Sequence, residues 1–194
     1  NETLLELVNY QYGYIGYCLG FEKKKEAQKY LSLAEDNLAK LEKAGFRTPV
    51  LYAFRSAFYA FRISLNTISA PFNGPKSLNY AKKAVEADNN NYFGYTQLGN
   101  AYFYMPAAFG GSKKTAFENF TKARTLMEKD PSLTKGNWNY LSLLVTIAQS
   151  HAYLDEYEAA KAEYENILKI EPGFLYVKDD LYPKLLAKIK NRTK

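Results

Sequence analysis

The sequence predicts an all-α fold that is built from repeated pairs of helices. Apolar side chains recur three and four residues apart, as at Ala27, Leu31 and Ala34, and this is the spacing of one face of an α-helix. Glycine and proline interrupt the spacing at intervals that suit helices of about 15 to 20 residues, and the alternation typical of β-strands is missing. One group of three residues also recurs along the chain, which indicates a repeat architecture.

The recurring group has a small residue first, a second residue four positions later and a third residue three positions after that. Steps of four and three stay on one face of a helix, so each group forms a stripe that a neighbouring helix can approach closely. The four stripes, in chain order, are Ala27, Leu31 and Ala34; Ser77, Ala81 and Ala84; Ala116, Phe120 and Ala123; and Ala160, Tyr164 and Ile167.

The boundaries of the helices follow from glycine, proline and capping residues. Gly45 is expected to end one helix, and Pro49 can open the next. Residues 70–75 and 105–111 each contain proline, then phenylalanine, then glycine, and we expect both to be insertions between paired helices. The glycine pair of the second segment is expected to end one helix, with Ser112 capping the next; a phosphate-binding loop there would need an earlier glycine and a preceding strand.

A second helix, rich in aromatic residues, precedes each stripe. In the third unit it reads Tyr95-x-x-Leu98-Gly99-x-x-Tyr102, and in the fourth it reads Leu144-x-x-Ile147-Ala148. Together with the stripes, these motifs resemble the tetratricopeptide repeat (TPR) family, in which a W-x2-L-G-x2-Y helix is followed by an A-x3-F/Y-x2-A helix. Residues 105–111 are also similar to a P-x2-FGG insertion of some bacterial cell-envelope TPR proteins.

The resemblance implies a right-handed α-solenoid of about four helix pairs plus a C-terminal capping helix. A single domain would then cover residues 1–194. Pro183 lies inside the expected capping helix and should kink or restart it. The expected units are residues 4–44, 49–89, 91–130 and 137–172, with the capping helix at 174–190.

The residue types that support catalysis or metal binding are scarce. His151 is the one histidine, and a catalytic arrangement would need it, with Asp155 one turn away; its repeat position favours a packing role instead. Cys18, the one cysteine, is expected to be a buried thiol, and a zinc site based on cysteine is excluded. We therefore expect no enzyme activity, no metal and no cofactor.

Charge and hydropathy limit the classes of partner. The net charge is +6 over 194 residues, and the lysines are spread along the chain, so we do not expect nucleic acid as a partner. No apolar run reaches the roughly 18 to 20 residues that span a bilayer. The sequence begins at Asn1 without methionine, so the protein is expected to be exported or periplasmic if a leader was removed there, and cytoplasmic otherwise.

The chain is rich in aromatic residues, with 18 Tyr and 12 Phe. In the TPR family the first helix of each unit lines a concave groove, and tyrosine is favoured at binding surfaces. The resemblance therefore implies a non-catalytic scaffold that binds a protein or peptide partner; the alternative is a cell-envelope accessory protein that binds a small apolar ligand or lipid in an aromatic pocket. The expected groove residues are Tyr10, Tyr17, Phe54, Phe58, Phe61, Thr96, Asn100, Phe103, Tyr104, Gln149 and Tyr153.

Overall fold

The computed structural model describes residues 1–192, and helices joined by short connections make up most of it. The structure is 83% helical and residues 1–192 contain no strand, which confirms the all-α prediction. The last two residues of the predicted domain, 193 and 194, lie outside the described residues. The described part contains nine α-helices, whose bounds are α1 Glu2–Gly20, α2 Lys24–Lys43, α3 Thr48–Leu65, α4 Ala70–Ala87, α5 Tyr92–Tyr104, α6 Lys113–Met127, α7 Trp138–Tyr153, α8 Tyr157–Ile170 and α9 Tyr182–Arg192.

Helices that follow one another along the chain pack side by side. The chain divides into two compact units, Asn1–Ala101 and Tyr102–Lys194, and α5 begins in the first and ends in the second. In the first unit α1 packs on α2, α2 on α3, and α3 on α4. In the second unit α6 packs on α7, α7 on α8, and α8 on α9.

The four predicted stripes are buried helix faces. All three residues of the first stripe are at most 1% exposed, and all three residues of the third stripe are fully buried. The second and fourth stripes are buried as well. Small residues at these positions let the helices approach closely; for example, Ser77 Oγ of α4 donates to the carbonyl of Ser56 in α3 at 2.9 Å. The stripes predicted from the sequence are therefore confirmed as packing faces.

Residues 70–75 are helical, so the prediction of an insertion there is wrong. Helix α4 begins at Ala70 and contains both prolines of this segment. Pro71 lies in the first turn, where a backbone N–H has no partner within the helix. Pro75 lies further inside and removes one helical hydrogen bond. The actual connection is a short 3-10 turn, Thr67–Ser69, which the side chain of Asn66 caps.

Three other boundary predictions agree with the structure. Helix α2 ends just before Gly45, which has a φ of +63°. The side chain of Ser112 accepts a hydrogen bond from the Thr115 amide at 3.1 Å and so caps α6. A π-helical turn, Tyr176–Leu181, leads into α9, which begins one residue before Pro183. The chain thus restarts at this proline, because proline is compatible with the first turn of a helix.

Candidate functional site

The predicted groove residues differ in how much of each side chain solvent can reach. Three are core residues: Phe54, Phe58 and Phe103, with exposed fractions of 3%, 1% and 5%. Four are half-buried: Phe61, Thr96, Asn100 and Gln149. Four are exposed: Tyr10 at 59%, Tyr17 at 46%, Tyr104 at 71% and Tyr153 at 62%. A partner can contact the four exposed tyrosines directly, so each candidate surface described below includes two of them.

Phe54 and Phe58 belong to an aromatic core in the first unit. The ring centroid of Phe54 lies 4.7 Å from that of Phe93, and the ring centroid of Tyr12 lies 5.3 Å from Phe93. The hydroxyl of Tyr12 accepts a hydrogen bond from Gln97 Nε2 at 3.2 Å, and burial raises the pKa of Tyr12 above its ordinary value of 10.0. These rings stabilise the fold, so Phe54 and Phe58 are left out of the candidate surfaces.

The polar groove candidates on α5 are bonded within their own helix. Thr96 Oγ1 donates to the carbonyl of Tyr92 at 3.0 Å. Asn100 Nδ2 donates to Gln97 Oε1 at 3.3 Å. A ligand at these positions would have to compete with existing hydrogen bonds, so neither side chain is a strong first choice for an anchor.

An aromatic cluster of the second unit surrounds the ammonium group of Lys113. Lys113 Nζ lies 3.7 Å from the ring centroid of Phe103 and 4.6 Å from that of Tyr153. It also donates a hydrogen bond to the backbone carbonyl of Phe103. The Phe103 ring lies 5.1 Å, between centroids, from both Tyr104 and Tyr153, and it meets each nearly edge to face. The ammonium group on the buried ring of Phe103 is thus flanked by two exposed tyrosines. We call Lys113, Phe103, Tyr104 and Tyr153 the Lys113 cluster.

The connection between α5 and α6 brings Lys113 to this position. A 3-10 turn, Ala107–Phe109, is followed by Gly110, whose φ of +94° lies in the left-handed region that favours glycine. Gly111 passes so close to the carbonyl of Met105 that a Cβ atom would overlap it. The glycine pair is therefore required by the path of the backbone, and the tight turn starts α6 directly beside the end of α5.

The environment of Lys113 favours an incoming anion. Partial burial lowers the pKa of Lys113 below its ordinary value of 10.5. Among residues 1–192, none forms an ion pair with Lys113 through a carboxylate within 4.0 Å. Phenylalanine and tyrosine rings stabilise a cation through their negative faces but do not neutralise it. A ligand carboxylate would supply the missing countercharge.

A second set of exposed apolar side chains lies along α1. Leu7, Tyr10, Tyr17 and Phe21 are 46%, 59%, 46% and 62% exposed, and Tyr14 between them is half-buried. The ring centroids of Tyr17 and Phe21 are 4.6 Å apart. Leu7, Tyr10, Tyr14 and Tyr17 follow one another at intervals of three and four, so they lie on one face of the helix, and Phe21 is the residue that directly follows its end. We call this face the α1 row.

Comparison with known proteins supports the fold. No family model matches this chain, and no curated protein matches it. Among solved structures, the chain is similar to the HusA haemophore from Porphyromonas gingivalis, with a TM-score of 0.60 and 23% sequence identity over 75% of each chain. At this level of identity the likeness shows a shared all-helical fold.

His151 packs against an aromatic ring and binds a carboxylate. Its ring centroid lies 4.6 Å from that of Phe117, and its Nδ1 lies 2.6 Å from Glu156 Oε2. Asp155, the carboxylate expected beside it, accepts a hydrogen bond from the hydroxyl of Tyr157 instead. The contact with Phe117 is the kind that a packing histidine makes.

The described residues lack two further features, a cluster of metal ligands and a membrane-spanning helix. The described residues contain no group of three or more His, Cys, Asp and Glu side chains that could hold a metal ion. No helix within residues 1–192 combines the length and the apolar character that a membrane span needs.

Sequence reasoning missed four residues of these surfaces, which are Lys113, Leu7, Tyr14 and Phe21. Lys113 follows the glycine turn, and nothing in the sequence distinguishes it from the other lysines spread along the chain. Leu7 and Phe21 extend the α1 row at both ends, and Tyr14 lies between Tyr10 and Tyr17. The signal for Leu7 and Phe21 was present, because both continue the helical spacing of Tyr10 and Tyr17. The position of Lys113 depends on the fold of the turn.

Proposed function

We propose that this chain is a non-catalytic binding protein whose Lys113 cluster takes a flat, apolar ligand that carries a carboxylate. The observation that carries the proposal is the position of Lys113 Nζ, 3.7 Å from the ring centroid of Phe103 and 4.6 Å from that of Tyr153. Tyr104 and Tyr153 are both mostly exposed, so their rings are open to a ligand. The ligand carboxylate would pair with the ammonium group, and its apolar face would lie on the tyrosines.

Haem is a molecule of this class, because it combines a flat apolar macrocycle with propionate groups. The likeness to a haemophore therefore supports the choice of a porphyrin as the first probe. Tyrosine suits such a surface, since it offers a large rigid ring and a hydrogen-bonding hydroxyl at a small cost in conformational entropy. Within this proposal, a porphyrin is the cargo of the protein, in keeping with the alternative function that the sequence leaves open.

We also propose that the helix pairs are TPR repeats arranged as a right-handed solenoid. The buried small-residue stripes and the packing of successive helices support this assignment. A solenoid repeats one structural unit, so its surfaces can be varied without loss of the packing faces. That property fits a binding protein.

Titration with iron-free protoporphyrin and with haem tests the ligand proposal. Lys113→Met removes the charge but keeps an apolar stem, and we expect about tenfold weaker binding, as for loss of about 1.4 kcal/mol from a charge-assisted hydrogen bond. Tyr153→Ser should weaken binding to a similar degree, since it removes one aromatic contact. Absorbance and fluorescence titrations at fixed salt would measure both.

Two matched variants serve as controls for this titration. Lys114→Met removes the neighbouring exposed lysine, and Phe72→Ser removes an aromatic ring of the first unit that is 74% exposed. Both should bind the probes as the wild type does. The proposal fails if Lys113→Met binds protoporphyrin as tightly as the wild type, or if Phe72→Ser loses as much affinity as Tyr153→Ser.

The second candidate function is a scaffold for a protein partner, and the α1 row favours it. The sequence predicts that Tyr10 and Tyr17 contact a partner, and both are about half exposed. Apolar side chains at intervals of three and four form the kind of surface that receives a helix. Loss of a partner on mutation of this row, with porphyrin binding intact, would separate the two candidates.

A further inference from the structure

The positive charge of the chain is concentrated around α3 and α4. Residues 43–85 contain no aspartate or glutamate, whereas the rest of the chain has one more acidic residue than basic residues. The cations of this segment are Lys43, Arg47, Arg55, Arg62, Lys76, Lys82 and Lys83. The net charge of +6 therefore comes from this part of the first unit, and an anionic partner would be attracted there.

The three lysines of α4 have no countercharge close by. The three arginines of the segment pair with glutamates of α1 and α2, at N–O distances of 2.5 to 2.8 Å. Lys76, Lys82 and Lys83 are exposed, and within residues 1–192 none of them has a carboxylate closer than 4.0 Å. The anionic groups of a partner can pair with these lysines without displacing an existing ion pair.

Two tyrosine rings lie beside two of these lysines. Lys76 Nζ is 5.6 Å from the ring centroid of Tyr59, and Lys83 Nζ is 5.4 Å from that of Tyr80. The two rings stack with their centroids 5.7 Å apart. Phe72, Lys76, Tyr80 and Lys83 follow one another at intervals of four, four and three, so they share one side of the helix. We call these four residues the α4 face.

The first residue of the α4 face is apolar and exposed. Phe72 is 74% exposed, and Ile68, in the 3-10 turn before α4, is 84% exposed. Lys76 follows Phe72 by one turn, or about 6 Å along the helix. Membrane interfaces have the same order of layers, because apolar side chains enter the acyl boundary while lysines and tyrosines lie at the level of the headgroups.

We infer that the α4 face binds the surface of an anionic lipid bilayer. Ile68 and Phe72 enter the boundary of the acyl chains, and Lys76 and Lys83 then lie at the depth of the phosphates. A nucleic acid also offers phosphates, but it offers no apolar layer to Ile68 and Phe72, so a bilayer fits more of the face. The inference goes beyond the proposed function, because it uses neither the Lys113 cluster nor the α1 row.

Sedimentation of the full-length chain with lipid vesicles tests the role of charge. We expect at least about tenfold tighter binding to vesicles with about one-third phosphatidylglycerol than to vesicles of phosphatidylcholine alone, and added salt should reduce this difference. Lys76→Gln with Lys83→Gln should weaken binding to the anionic vesicles about tenfold or more. Lys24→Gln with Lys25→Gln removes two exposed lysines of α2 and is the matched control, which should change binding by less than about twofold.

A fluorescent dye tests which residues enter the bilayer. Cys18, the one cysteine of the chain, is fully buried, so a thiol-reactive dye will label an introduced, exposed cysteine selectively. On anionic vesicles, an environment-sensitive dye at Phe72→Cys should shift its emission to the blue and become brighter. Phe109→Cys is the matched control, because Phe109 is 78% exposed in the second unit, and its dye should not respond.

Phe72→Ser separates this inference from the porphyrin proposal. It should weaken binding to anionic vesicles about fivefold or more, since it removes an apolar side chain from the acyl boundary. The same variant should leave porphyrin binding unchanged, so failure of one proposal leaves the other intact. All of the substituted positions are exposed, and circular dichroism will check that each variant keeps its helices.

Four results would each overturn the inference. They are a wild type that does not sediment with anionic vesicles, equal binding to neutral vesicles, equal losses for the two pairs of lysine variants, and equal dye responses at the two introduced cysteines. Binding of single-stranded RNA by a chain that does not bind vesicles would also overturn it, and would assign the lysines and tyrosines to nucleic acid.

Discussion

At the scale of single residues, the proposed role of Lys113 sets how ligand binding should respond to pH. A carboxylate ligand pairs with the protonated amine, so affinity depends on the fraction of Lys113 that is charged. Burial lowers its pKa below 10.5 in the free protein, and deprotonation therefore begins at a lower pH than for an exposed lysine. Affinity should accordingly fall as pH rises through the lowered pKa.

We predict that protoporphyrin binds more weakly to the wild type at about pH 10 than at about pH 7, because the lowered pKa of Lys113 leaves a larger fraction of its amine uncharged at the higher pH than for an exposed lysine. Lys113→Met should bind weakly at both pH values and show little change between them. That small change excludes a general effect of alkaline pH on the fold or on tyrosine, and Lys114→Met should follow the wild type, which shows that the pH dependence is specific to Lys113. An equal fall in affinity for Lys113→Met and for the wild type would contradict the assignment.

At the scale of helices, the second stripe shows why residue size matters between α3 and α4. Ser77 is 5% exposed, and its hydroxyl lies 3.3 Å from that of Ser56 and donates to the Ser56 carbonyl. A small side chain allows this approach, and the hydrogen bond satisfies the hydroxyl. Removing the bond and enlarging the side chain are separate perturbations, so two variants can distinguish them.

We predict that Ser77→Ala lowers the free energy of unfolding by about 1 kcal/mol, since it removes one buried hydrogen bond and leaves the packing unchanged. Ser77→Leu should lower it by about 2 to 3 kcal/mol or more, because the larger side chain forces the helices apart. Urea unfolding followed by circular dichroism measures both. Asn79→Ala, at an exposed position of the same helix, should change the free energy of unfolding by less than about 0.5 kcal/mol. Equal losses for the two Ser77 variants would refute the packing argument.

The sequence predicted helix faces better than helix connections or exposed surfaces. Each stripe is buried as expected because spacing along a helix fixes which side chains share a face. Residues 70–75 are helical and not the insertion that the sequence predicts. The prediction was wrong because proline is common both in turns and in the first turn of a helix, and the sequence alone does not distinguish the two. Phe54 and Phe58 differ because periodicity shows that rings share a face but not whether that face meets solvent or core. The Lys113 cluster depends on contacts between α5, α6 and α7, which no local pattern encodes.

At the scale of the whole molecule, the two candidate binding surfaces lie in different units. The Lys113 cluster belongs to Tyr102–Lys194, and the α1 row belongs to Asn1–Ala101. A ligand that binds only the folded protein stabilises whatever unfolds together with its site. The effect of a ligand on unfolding therefore shows whether the first unit unfolds together with the second unit or separately from it.

We predict that protoporphyrin at about 100 times its dissociation constant stabilises the folded state by about 2.7 kcal/mol and raises the melting temperature by roughly 5 to 10 °C if the chain unfolds in one transition. If the units unfold separately, only the transition that includes residues 102–192 should move. Hydrogen exchange followed by mass spectrometry distinguishes the two outcomes, because it assigns the gain in protection to segments of the chain. Lys113→Met should reduce the shift at the same ligand concentration, and Lys114→Met should retain it in full. A ligand that protects only residues 1–101 would place the binding surface in the first unit and refute the assignment to Lys113.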